Sequence, residues 1–133
     1  MRHIIILVLI VLATLSKGFA ADPPTVVPLD KDGVQRVEIL GGDYFFKPAH
    51  IIVKVNYPVE FKVRKDGYIV PHSIVIEAPE AGIKVNESLS RDPKVISFTP
   101  TKVGTYAVFC DKKPPFLASH REKGMEGVLE VVE

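Results

Sequence analysis

The sequence predicts an all-β fold, an antiparallel β-sandwich of about seven or eight strands. Three observations carry that expectation. Short apolar or alternating runs recur along the chain beyond residue 34. Turn-forming residues separate them. No long apolar stretch of helical period occurs outside the first twenty residues. Eleven Pro and nine Gly in 133 residues agree, because both favour turns over long helices.

The expected strands, in order, are residues 35–40, 50–55, 59–64, 69–77, 95–98, 104–110 and 127–132. Val53-Lys54-Val55 and Phe61-Lys62-Val63 alternate with period two, as half-buried strands do. Gly41-Gly42-Asp43, Asn56-Tyr57-Pro58, Lys65-Asp66-Gly67 and Thr101-Lys102-Val103-Gly104 supply the turns. Residues 21–34 are rich in Pro and Asp and are expected to form an extended lead-in. Residues 78–90 are the least regular stretch, with room for a short helix. The domain is expected over residues 35–133.

Residues 1–20 read as a secretory signal peptide. Arg2 opens the chain, residues 4–15 form an apolar core, and Gly18 and Ala20 stand at the −3 and −1 positions of a cleavage site. An uncleaved membrane anchor is the alternative, but the apolar run falls short of the about 20 residues a span requires. No Cys follows the apolar core, so a bacterial lipid anchor at this site is excluded. Removal of Arg2 and Lys17 leaves fifteen basic against sixteen acidic residues, a formal charge of −1. That balance disfavours nucleic-acid binding. About 113 residues remain, enough for one modest core. Export, most simply to a bacterial periplasm, also places the chain in an oxidising compartment.

The chain has one cysteine, Cys110. It cannot form an intramolecular disulfide, a Cys-only zinc site, an iron–sulfur cluster held by this chain alone or a two-cysteine copper centre. Cys110 ends the apolar run Tyr106-Ala107-Val108-Phe109. Nine residues separate it from His120, and four more separate His120 from Met125, just before the closing strand. Upstream, His72 lies in a second apolar segment. Two imidazoles, a thiolate and a thioether are a donor set suited to copper. The soft sulfurs favour Cu(I), while the imidazoles also satisfy Cu(II). Calcium and magnesium prefer oxygen ligands, and zinc gains little from a methionine. For each donor an ordinary structural role is the competing reading: a buried thiol, a core histidine, a core methionine. His50 is the one other upstream histidine of the chain beyond residue 20.

These residues resemble the cupredoxin family of plastocyanin, pseudoazurin and azurin. The resemblance spans residues 37–132. Phe46-Lys47-Pro48-Ala49-His50-Ile51-Ile52-Val53 is similar to the family's early strand. Thr105-Tyr106-Ala107-Val108-Phe109-Cys110 is similar to the strand ending at the ligand cysteine, and His120-x4-Met125-x-Gly127-x-Leu129-x-Val131 to the ligand loop and final strand. The resemblance implies a Greek-key sandwich and a mononuclear type 1 copper site with His72, Cys110, His120 and Met125 as ligands. Two departures stand out. The nine-residue Cys-to-His loop exceeds the two to four residues usual in simple cupredoxins and is similar in length to that of copper nitrite reductases. Ser73 also follows the first ligand histidine, where the family commonly has Asn or Asp.

The function so implied is a periplasmic one-electron carrier cycling one copper ion between Cu(II) and Cu(I), expected to be a monomer. The electron would pass at His120, expected at an exposed edge. Redox protein partners would dock near His120, Phe116 and Leu117, where apolar residues interrupt the ligand loop. Lys112 and Lys113 are either solvated loop charges or contacts to an acidic partner. Copper storage, sensing or delivery uses the same ligands and is the alternative. An enzyme is not expected: the residues beside Cys110 are Phe109 and Asp111, not a histidine leading to a second copper.

Overall fold

The computed structural model describes residues 22–133, so the expected signal peptide lies outside the described residues. Among the described residues, ten strands form two sheets packed face to face. They are β1 (Thr25–Val26), β2 (Gln35–Gly42), β3 (Phe45–Lys47), β4 (His50–Lys54), β5 (Val59–Lys65), β6 (Ser73–Ala78), β7 (Ile83–Ser88), β8 (Lys94–Phe98), β9 (Gly104–Phe109) and β10 (Glu126–Val132). One sheet runs β1-β4-β10-β9-β6-β7 and the other β3-β2-β5-β8.

The sandwich is as expected, but both sheets are mixed rather than antiparallel. β4 pairs parallel with β1 and β10, and β2 pairs parallel with β5. Period-two alternation is the same for either direction, so a local pattern carries no information about it. The three extra strands are equally non-local in origin. β1 pairs with β4 and buries Val27 just beyond it, giving order to part of the expected lead-in. β3 is three residues long and gains its definition from β2. β7 occupies much of the stretch expected to be irregular. Pro79–Ala81 makes a single 3₁₀ turn, Gly82 turns the chain at φ +72°, and Ile83 and Val85 then point inward.

The core is built from the inward positions of both sheets, among them Ile39, Val59, Phe61 and Val63 facing Ile51, Ile74, Ile76, Leu129 and Val131. Phe61 and Phe98 meet edge to face, with ring centroids 5.0 Å apart. At one end the sheets are stitched by the fully buried Gln35 at the start of β2. Its amide donates to the Lys54 carbonyl (3.1 Å) and accepts from the Lys54 N–H (2.6 Å), which satisfies a polar group that would otherwise be costly to bury. The opposite end carries the loops that hold the candidate site.

The run expected as a strand over 69–77 enters the sheet only at Ser73. Pro71 lacks an N–H for the ladder, and the segment before it leaves the sheet, with Tyr68 and Ile69 77% and 91% exposed. Replacing the wholly buried Phe61 should lower stability by about 3–5 kcal/mol in Phe61→Ala, because the sheets cannot close the void. Urea unfolding of the copper-free chain measures it.

Candidate metal centre

Four segments meet at the site end. His72 stands immediately before β6, Cys110 immediately after β9, His120 in the connection to β10, and Met125 immediately before β10. β6 and β9 are neighbours in one sheet, with Val75 paired to Phe109, so the two strands alone bring His72 near Cys110. The rest of the set arrives through the loop between residues 110 and 126.

That loop folds on local rules. The His120 N–H donates to the Lys112 carbonyl (2.9 Å), closing the chain upon itself. Ser119 and Glu122 then form a capping box. The Glu122 N–H donates to Ser119 Oγ (3.1 Å), and the Ser119 N–H donates to Glu122 Oε2 (2.7 Å). One helical turn follows, with the Lys123 N–H on the Ser119 carbonyl (3.1 Å) and the Met125 N–H on the His120 carbonyl (2.9 Å). Gly124 ends it at φ +105°, a conformation that L side chains rarely adopt. The Cys110 N–H finally donates to the Met125 carbonyl (3.1 Å), so the loop returns to its starting point.

One nitrogen of His72, the Cys110 sulfur and one nitrogen of His120 lie within 4.8 Å of one another, and all three residues are buried. Cys110 Sγ is 3.6 Å from His120 Nδ1. The imidazole centroids of His72 and His120 are 5.0 Å apart. Met125 is wholly buried, its backbone is bonded to both Cys110 and His120, and its methyl group lies against Gly41, where any side chain would strike Leu89 and crowd Met125. Three of the four residues expected from the sequence thus bring their donor atoms together, and Met125 is joined to two of them through the backbone. His50 stands apart, at the start of β4, half-exposed, 2.8 Å from Glu130 Oε2.

Polar contacts orient the set. His72 Nε2 lies 2.8 Å from Asp43 Oδ1, so that nitrogen carries the proton and donates to the carboxylate. His72 Nδ1 is then left with a lone pair, buried and without a hydrogen-bond partner. An orphaned buried acceptor beside a cysteine sulfur and a second imidazole has the chemistry of a metal ligand. The Ser73 N–H points at Cys110 Sγ (3.3 Å). Ser73 Oγ donates to the Asp111 carboxylate and accepts from the Asp111 N–H (3.0 Å), tying the start of β6 to the end of β9. Serine therefore makes the cross-strand tie at the position where the cupredoxins commonly have Asn or Asp.

His120 departs from expectation in one respect: it is only 2% exposed. The Tyr44 ring packs against it edge to face, with centroids 4.9 Å apart. Burial holds the His120 imidazole below the usual histidine range, and the Lys123 ammonium acts in the same direction. It is therefore held in the neutral form that binds metals. Around it lies a shallow depression lined by Tyr44, Ile69, Pro71, Pro114 and Leu117, with Lys112, Lys113 and Lys123 also present. Phe116 beside it is fully exposed. Asp43, Tyr44 and Gly41 escaped the sequence reading as site residues. Gly41-Gly42-Asp43 marked a turn, and nothing local showed that this turn closes over histidines about thirty residues or more further along the chain.

The fold is that of the cupredoxins. The chain is similar to the metal-binding domain of the Cu(I)-exporting P-type ATPase CopA of Streptococcus pneumoniae, solved with Cu(I): 23% identity, TM-score 0.63, covering 84% of this chain and 97% of that domain. It is similar to a copper binding protein solved in the apo form (20% identity, TM-score 0.58, 83% of this chain and 98% of that one). It is also similar to the reduced auracyanin of the photosynthetic bacterium Roseiflexus castenholzii (23% identity, TM-score 0.51, 74% and 97%). No protein-family model and no curated protein sequence matches the chain.

Ser73→Ala should destabilise the copper-free chain by about 1–3 kcal/mol, because it removes a buried hydroxyl and both partners on Asp111. Thermal unfolding of the two proteins side by side measures it.

Proposed function

We propose that this chain binds one copper ion through His72, Cys110, His120 and Met125 and serves as a one-electron carrier in the bacterial periplasm. The observation that carries the reading is the bare, buried His72 Nδ1 beside the Cys110 sulfur and the His120 imidazole. When bound, copper supplies a Cu(II)/Cu(I) couple at these donors. The protein supplies rigidity. Asp43 fixes the His72 tautomer, the Ser73 N–H faces the thiolate, and the Cys110–Met125 and Met125–His120 backbone bonds hold three of the ligands in one closed loop. Ligands that move little between oxidation states favour fast transfer.

Partner docking fits the depression over His120. Electron-transfer encounters use small interfaces, and Leu117, Phe116 and Ile69 give this one an apolar surface with lysines at its margin. With the His120 ring covered, the electron crosses by way of its contact with Tyr44 or the adjoining apolar edge. Export rests on the leader-like residues 1–20. No described helix is long and apolar enough to cross a membrane.

The second reading is copper storage, sensing or delivery, with the same ligands. Complete burial of the donors and a single methionine beyond residue 20 favour retention of the ion and hence the carrier. The reading includes no catalytic role: beyond residue 20 the chain has three histidines, and His50 stands apart from the other two.

Copper(II) added to the purified chain should give an intense thiolate-to-copper band that is lost on reduction and regained on oxidation. Facile loss of Cu(I) to a chelator, without reversible cycling, would instead establish the handling role. Cys110→Ser should abolish the intense band, and a variant that keeps it overturns the ligand assignment. Met125→Gln should keep the metal and lower the reduction potential in voltammetry, whereas an unchanged potential removes Met125 from the ligand set.

A further inference from the structure

We propose that the dipeptide Asp43-Tyr44 positions both imidazoles of the site, and that the Asp43 carboxylate lowers the reduction potential of the bound metal. The inference rests on the copper reading above and extends it to two residues outside the ligand set.

The geometry is a clamp from the opposite sheet. His72, Cys110, His120 and Met125 all flank strands of the six-stranded sheet, whereas Asp43 and Tyr44 form the tip between β2 and β3 of the four-stranded one. Consecutive residues of that tip grip different histidines. Asp43 Oδ1 accepts from His72 Nε2 at 2.8 Å. Tyr44 packs edge-on against His120 at 4.9 Å and approaches His72 at 6.3 Å. Tyr44 is itself held from the ligand loop. The Lys123 ammonium lies 4.6 Å from its ring centroid and 3.4 Å from its hydroxyl. Gly124 of the same loop runs beside the Tyr44 carbonyl. Each end of the clamp therefore touches the loop it restrains.

The Asp43–His72 contact differs from an ordinary surface pair in its exposure. The His72 side chain is wholly buried, while that of Asp43 is 60% exposed. The carboxylate keeps its solvation as an anion and still determines which imidazole nitrogen is bare. A fixed negative charge one imidazole away from the metal stabilises the more highly charged oxidised ion over the reduced one, so it lowers the potential. The partner also makes the imidazole a stronger donor and restricts its rotation.

The first test needs no metal. Nitrogen NMR of the copper-free full-length domain should show His72 as one tautomer, protonated at Nε2, and Asp43→Ala should populate both tautomers. Retention of the single tautomer in Asp43→Ala overturns the positioning role. In the copper-loaded protein, Asp43→Asn keeps an acceptor but loses the charge. It should raise the reduction potential while leaving the visible bands in place, and an unchanged potential overturns the electrostatic part. Asp43→Ala should alter the band ratio and speed copper loss about 10-fold. Tyr44→Phe retains the ring and should match the parent spectrum, whereas Tyr44→Ala should shift the band ratio. An unshifted spectrum removes Tyr44 from the clamp. Tyr44→Leu, which retains bulk without the ring, is read in the same way if the alanine variant does not fold. Absence of a charge-transfer band in the parent protein would overturn the copper reading and with it the effect on the potential, while the tautomer measurement decides the positioning role of Asp43 without copper.

Discussion

The site depends on the tie between the start of β6 and the end of β9. These strands share a single paired position near their site ends, Val75 with Phe109, and then diverge into loops that carry the donors. Without a further link, His72 and Cys110 would sit on two independently moving chain ends. Ser73 supplies it. Its N–H faces the Cys110 sulfur, and its hydroxyl both donates to and accepts from Asp111. The bonds are buried or partly buried, where an unmade hydrogen bond is expensive and a made one is correspondingly stiff. One residue beside each of His72 and Cys110 therefore connects them, and the two side chains need no rigidity of their own.

The remaining architecture extends that restraint. The loop from Cys110 to Met125 is long, yet its backbone bonds close it twice, once at Lys112–His120 and again at Cys110–Met125. The capping box at Ser119 and Glu122 turns the segment after His120 into a helical turn, which returns Met125 to the sheet. The loop's prolines, Pro114 and Pro115, also limit the conformations it can sample. The apolar residues it does not need for closure, Phe116 and Leu117, are left at the surface beside the covered His120. The same loop thus accounts for both an enclosed donor set and an exposed apolar margin.

Packing at the other end of the sandwich makes this arrangement affordable in conformational terms. Gln35 locks β2 to β4 there, and a core of β-branched and aromatic side chains holds the sheets together between the two ends. The tip of β2 and β3 is then carried at a fixed height over the opposite sheet. Gly41 and Gly42 occur where side chains would collide with Leu89, Met125 and the Phe45 ring, so the tip can descend onto the histidines.

The amino-acid sequence by itself determined the β class and most of the strands, and it singled out the four residues proposed as donors. Those features are local. Alternation marks half-buried strands, and a lone cysteine closing an apolar strand, with His120 and Met125 at short spacing before the last strand, states its chemistry within about twenty residues. Tertiary structure decided what depends on which segments become neighbours. Parallel pairing of β4 with β10 and of β2 with β5, the ordering of β1, β3 and β7, and the burial of His120 all arise from contacts between distant parts of the chain. Asp43 and Tyr44 are the clearest instance. Their sequence neighbourhood specifies only a turn, and the opposing sheet gives that turn its place over two histidines. The physical reason is that a side chain's type is carried by its own position, while its partners are set by the packing of the whole sandwich.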